Sequence, residues 1–84
     1  MTEASTLDVS IRTRSKILFE GKIYSVTSFN VVGEFDVLPQ HANFVSLVKN
    51  NITLDKGLKT EKKFDIESGV MSVTKDKVAV YLGV

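Results

Sequence analysis

The stretch GEFDVLPQHANFVS, residues 33–46, decides how the whole chain is read. It holds the only proline, Pro39, the only histidine, His41, and a glycine followed directly by a carboxylate, Gly33-Glu34. Proline has no backbone N–H to give to a central β-ladder, so the stretch must contain a sheet edge, a turn or a kink. Exposed irregular places of that kind carry contacts more often than the elements they join, which makes residues 33–42 the first candidate for a contact surface. The flanks read as β rather than helix. Phe35 and Val37 lead into the proline, and after it Val45 and Val48 give residues 44–48 the β-branched, briefly apolar character of a buried strand.

Working outward, Leu7, Val9 and Ile11 alternate with Asp8 and Ser10, the period of a half-buried strand. Residues 12–16 are polar and turn the chain before Ile17, Leu18 and Phe19, and Glu20-Gly21 reads as the next turn. Ile23 and Val26 lie three apart, so a bulge or twist is needed if both face the core; Tyr24, Val26 and Thr27 disfavour a helix there. Residues 29–32 read as a loop or strand end closed by Gly33. On the C-terminal side Asn50-Asn51 is a turn pair tolerant of positive φ, and Asp55-Lys56-Gly57 forms a hairpin loop between Ile52-x-Leu54 and Phe64-x-Ile66. Lys62 and Lys63 suit an exposed edge. Ser68-Gly69 breaks the chain, and residues 70–73 and 78–82 make a final hairpin.

Short strands at this spacing, with no helix-length amphipathic segment, predict about eight to ten strands. The fold expected is all-β: two packed antiparallel sheets forming a small β-sandwich, with residues 1–84 as a single domain. The expected core is Val9, Ile11, Leu18, Val26, Leu47, Ile52, Phe64, Val73 and Val80.

Composition narrows the function classes. With 84 residues, 43% hydrophobic and 25% charged, the chain is an ordinary folded domain with a thin core. No cysteine is present, so neither a disulfide nor a thiolate metal site can form. A formal net charge of +1 gives no electrostatic reason to propose nucleic acid or anionic lipid as a partner. No apolar run approaches the ~18 residues that span a bilayer, and residues 1–10 lack the pattern of a signal peptide, so the cytoplasm is the default location. Asp55, Asp65 and Asp76 are isolated from one another, unlike a calcium loop, and no phosphate-binding glycine loop occurs. Neither a metal nor a cofactor is therefore expected. One histidine without a candidate nucleophile is more often packed or capping than catalytic, and a small hydrolase built on His41 and Glu34 ranks far below a binding or structural role. On the residues alone, Glu34 is a solvated loop carboxylate and Gly33 a backbone device.

The order of signals along the chain adds a more specific reading. It runs LDV at 7–9, LFEG at 18–21, SVT at 25–27, GEFDVLPQHA at 33–42, ITL at 52–54, SGVMSV at 68–73 and KVAVYL at 77–82. That succession resembles the N-terminal β-sandwich domain of the epsilon subunit of the rotary F-type ATP synthase, called delta in mitochondria. The resemblance implies a non-catalytic rotor subunit that links gamma to the c-ring and couples ion flow to ATP synthesis. Such a subunit sits at the cytoplasmic face of an energy-transducing membrane and touches the membrane only through the complex. It implies that Glu34 lies in a loop facing the polar loops of the c-ring and that His41 lies near the face that meets gamma. Gly33, Phe35 and Pro39 complete the expected partner interface. Asp36 and Gln40 stand where the family usually has glycine, Asn43 where it usually has proline, and Ser68 where it usually has the first of two glycines. Family members usually continue into a pair of C-terminal helices, whereas this sequence stops at Val84. The expectation from that is a coupling role without ATP binding or epsilon-type inhibition. A stand-alone peptide- or carbohydrate-binding β-sandwich is the alternative from a different class.

Overall fold

The structure, a computed structural model, describes residues 6–40 and 43–83. The alternating segments become β1 (Leu7–Arg12), β2 (Ile17–Ile23), β3 (Val26–Phe29), β4 (Glu34–Val37), β5 (Phe44–Leu54), β6 (Lys62–Thr74) and β7 (Lys77–Leu82). Among the described residues there is no helix. All the strands join one ladder in the order β2-β1-β7-β6-β5-β3-β4.

The two layers of the sandwich arise because β5 and β6 pass through both. They pair with each other along nearly their whole length, but their outer neighbours change: β7 flanks only residues 69–74 of β6, and β3 flanks only residues 49–54 of β5. One layer therefore holds β2, β1, β7, the second half of β6 and the first half of β5. The other holds the remaining halves with β3 and β4. The layers meet across the core, where Phe19 of β2 packs edge-on against Phe64 of β6 with ring centroids 6.3 Å apart, although those strands are not ladder neighbours. The expected pair of packed sheets is thus two layers of a single hydrogen-bonded sheet, antiparallel except for the parallel β1–β7 pair.

Seven strands, of which β5 and β6 are long, replace the larger number of short ones because three sites read as breaks lie inside strands. Gly21 sits within β2 opposite Val9. Gly69 is buried within β6, where an added Cβ would come within 2.8 Å of both the Tyr81 carbonyl oxygen and Leu82 Cδ2, so this glycine permits close approach of β7 rather than a turn. Asn50 does adopt positive φ, 71°, but as the extra residue of a β-bulge between Lys49 and Asn51. That bulge falls where β5 crosses from one layer to the other.

Val9, Ile11, Val26, Ile52, Val73 and Val80 are buried as expected, joined by Leu7, Ile23, Val37, Val48, Leu54, Met71 and Val78. Leu18 and Phe64 are half-buried against this cluster. Leu47 is a correction: it is 70% exposed, because in β5 the inward positions are Val48 and its alternates, and Leu47 points out. At the far end of the second layer the buried carboxylate of Asp55 accepts hydrogen bonds from the Tyr24 and Ser25 N–H groups, at 2.6 and 3.2 Å, and from the Thr60 hydroxyl, at 2.7 Å. It ties the β2–β3 turn to the β5–β6 loop.

Candidate functional site

The residues singled out around Pro39 do not form one loop. Gly33 closes the β3–β4 hairpin, where Asn30 and Gly33 exchange backbone hydrogen bonds of 3.0 and 3.1 Å. Asn30 Oδ1 also accepts from the Val32 and Gly33 N–H groups, and its amide nitrogen donates to Ser46 Oγ. Gly33 adopts φ 141°, a value that disfavours any side chain. At the tip of this braced turn Val31 and Val32 are 90% and 91% exposed.

Glu34 and Phe35 follow in β4 and point to opposite sides of it. Glu34 Oε2 accepts from Lys56 Nζ at 2.6 Å, and this hydrogen bond, with the attraction of the Glu34 charge, raises the Lys56 pKa above the ordinary lysine value. Phe35 is half-buried on the core and packs edge-on against Phe44, centroids 6.2 Å apart. Pro39 lies in the connection from β4 to β5, which is pinned on both sides: Asp76 Oδ1 accepts from the Gln40 N–H at 2.7 Å, and Asn43 Oδ1 from the Lys75 N–H at 3.0 Å. His41 falls outside the described residues.

The residues standing in place of glycine behave differently from one another. Gln40 adopts φ 67°, a left-handed conformation costly for a side-chain-bearing residue, and the Asp76 bond helps to hold it there. Asp36 sits in the regular ladder opposite Thr27 and accepts from its hydroxyl at 2.6 Å, so no special backbone is required of it.

A larger feature lies on the outer face of the layer containing β1 and β7. Cross-strand pairing brings outward residues together in rows: Leu47 beside Val70 beside Tyr81 beside Arg12, and Val45 beside Ser72 beside Ala79 beside Ser10. Val45 and Leu47 are each 70% exposed and Tyr81 46%. The outer face of the other layer is mostly polar instead. Its rows run Asp36, Thr27, Thr53, Lys63 and Glu34, Phe29, and Asp36, Thr27, Thr53 and Glu34 are partnered within the chain. Sequence reasoning missed Val45, Leu47, Val70 and Tyr81 as surface residues. The signal was present in residues 44–48, since a strand apolar on both faces is one covered on both faces.

Among the described residues no group of three or more histidine, aspartate or glutamate side chains gathers where a metal ion could sit. No helix among them is long and apolar enough to cross a membrane.

Residues 6–82 match the family model of the ATP synthase delta/epsilon chain, beta-sandwich domain. The ATP synthase epsilon chain of Clostridium novyi is 30% identical over 80 residues, covering 92% of this chain and 60% of the relative. That of Sulfurovum sp. is 33% identical over 72 residues, covering 84% and 56%. The chain thus spans less than two thirds of the length of either. Among solved structures, a chain of the Euglena gracilis mitochondrial ATP synthase superposes with a TM-score of 0.83 over 93% of this chain and 51% of its own length, at 14% identity. A chain of the Tetrahymena thermophila mitochondrial ATP synthase central stalk and c-ring gives 0.74 over 99% and 67%, at 11% identity. These two likenesses are of fold.

Proposed function

The chain belongs to the ATP synthase delta/epsilon family, represented by its β-sandwich domain, and from that premise we propose that it is a non-catalytic central-stalk subunit that links gamma to the c-ring. In this role it transmits rotation between ion flow and ATP synthesis while sitting peripherally on the cytoplasmic face of an energy-transducing membrane. The observation that carries the reading is the uncovered apolar outer face of Val45, Leu47, Val70 and Tyr81. Side chains of that kind, aligned across three adjacent strands, need a partner to remove them from water. Gamma is the partner assigned to this face.

The β3–β4 hairpin, with Gly33, Glu34 and the Val31-Val32 tip, is assigned to the c-ring. Its turn is held from within by Asn30, so it meets a partner with little left to order. Rigidity is the mechanical requirement of a rotor link, and two layers sharing the continuous strands β5 and β6 meet it better than two sheets in side-chain contact alone. The freestanding peptide- or carbohydrate-binding module is not favoured, because the family match accounts for the whole sandwich.

Copurification tests the proposal: the chain is expected to be retained by a purified gamma subunit and, with gamma, by the c-ring. Glu34→Lys is expected to weaken the second step while leaving the melting temperature nearly unchanged, since a rim charge acts on association more than on folding. Failure of the wild-type chain to bind gamma would remove the assignment.

A further inference from the structure

The outer face that carries Leu47 and Tyr81 is not uniform. Its middle row, Val45, Ser72, Ala79, Ser10 and Glu20, is mostly small, and the rows on either side are large: Thr74, Lys77, Asp8 and Lys22 on one, Leu47, Val70, Tyr81 and Arg12 on the other. The result is a trough running across the strands, whose β1–β7 end opens into a groove of about 490 Å³ lined by the cations Arg12, Lys22 and Lys77, the carboxylates Asp8 and Glu20, and Tyr81 among others, with Asp8 already engaged by Lys22. Lys77 and Tyr81 lie four residues apart on β7, so the walls stand about 13 Å apart, enough for one helix or extended segment. One end of the trough is apolar and the other is charged.

Arg12 stands apart from the other cations. It is the only lysine or arginine of the chain that is not exposed. Its Nε and Nη2 both donate to Ser10 Oγ, at 3.1 and 3.0 Å, and its guanidinium lies 6.0 Å from the centroid of the Tyr81 ring. Lys22 is paired with Asp8 at 2.6 Å and Lys56 with Glu34. Like the remaining lysines and arginines, Arg12 has no carboxylate partner among the described residues, but it alone of them is half-buried and held in place by its neighbours. A guanidinium fixed by two hydrogen bonds and a ring has little entropy left to lose, and its planar fork fits a carboxylate in two-point contact. Arginine and tyrosine are also the residues that most often dominate an interface.

We propose that Arg12, laid against Tyr81 at the charged end of this trough, is the specificity-determining anchor of the face and receives an aspartate or glutamate side chain of the protein partner. The inference rests on the reading of this face as the gamma-docking surface. The apolar end drives association, and the Arg12 end sets the orientation, because a segment docked the other way round would leave its carboxylate among Leu47 and Val70 and Arg12 unpaired.

The test measures binding of purified gamma subunit to the wild-type chain and to Arg12→Lys, Arg12→Glu and Leu47→Asp, at low and high salt, with melting temperatures as a control for folding. Arg12→Glu is expected to weaken binding about tenfold or more at low salt and to flatten its salt dependence. Arg12→Lys is expected to retain the salt dependence yet lose several-fold in affinity, because charge remains and the fork does not. A merely structural role for Arg12 would move the melting temperature and leave the salt dependence alone. If Leu47→Asp abolishes binding while Arg12→Glu binds with wild-type affinity and salt dependence, the anchor is wrong and the docking face stands. If Leu47→Asp binds like the wild type, the docking face itself is wrong and the anchor falls with it.

Discussion

The two outer faces of the sandwich solve the same problem in opposite ways. On the β3–β4 side, Thr27 gives its hydroxyl to Asp36, Glu34 holds Lys56, and Asp55 closes the end of the layer with hydrogen bonds to two backbone N–H groups and a hydroxyl. Apart from the exposed Lys63 and Asp65 and the hairpin end assigned to the c-ring, that face is finished within the chain. On the β1–β7 side, Val45, Leu47 and Tyr81 stand open, although the same strands bury Val48, Met71, Val78 and Val80 on their other side. The core needs only one apolar side per strand, and the second apolar side is what the proposed gamma contact accounts for.

The contrast yields substitutions whose effects fall on different measurements. Leu47→Asp on the open face should have the largest consequence, a loss of about 3–5 kcal/mol of gamma affinity from burying an unpaired charge, with folding unaffected. Unchanged affinity would mean that the face is merely tolerated by solvent. Asp55→Ala on the finished side should do the reverse. Loss of its hydrogen bonds is expected to lower stability by about 2–4 kcal/mol in urea unfolding while the folded fraction still binds gamma. Thr27→Val should cost about 1 kcal/mol of stability, because Thr27 is buried while Asp36 can return to water. A partner-binding defect without loss of stability would move the polar face into the interface.

How far the chain could be read in advance follows the same division. The core positions on β1 and β7 were legible, because simple alternation needs no knowledge of neighbours: Val9, Ile11 and Val80 follow from period two alone. Leu47 reads as core because β5 begins apolar on both sides and sequence has no means of telling which side faces in. Gly69 read as a break because a glycine that permits close strand approach and one that permits a turn look alike until the neighbour, here Tyr81, is known. The expected interface around Glu34, Phe35 and Pro39 dispersed for a related reason. Adjacent residues of a strand such as β4 face opposite ways, so Phe35 is half-buried while Glu34 meets Lys56. Arg12 left no mark in the sequence, since its interest lies in Tyr81, which pairs beside it from nearly the other end of the chain.

The smallest predicted effect concerns the Glu34–Lys56 pair. The folded-state pKa of Lys56 is raised by Glu34, so the stability this pair contributes is fully present below the ordinary lysine value and is lost as pH rises through the raised one. Wild type and Lys56→Met should therefore differ slightly at neutral pH and converge in alkali. Because Lys56 is exposed, the neutral-pH difference should be barely measurable. A large difference would show this face to be held by charge more than by its buried hydrogen bonds.

Coverage of the open face by gamma, with the other face left free, can be read by thiol labelling, since the chain contains no cysteine of its own. Leu47→Cys and Asp65→Cys place one thiol on each outer face, at exposed positions in β5 and β6. Maleimide labelling rates are then compared for the free subunit and for its complex with gamma. Similar rates are expected for both thiols in the free subunit and, in the complex, strong protection of the thiol at position 47 with none at position 65. Protection at position 65, or full reactivity at position 47 in a complex shown to be intact, would contradict this arrangement.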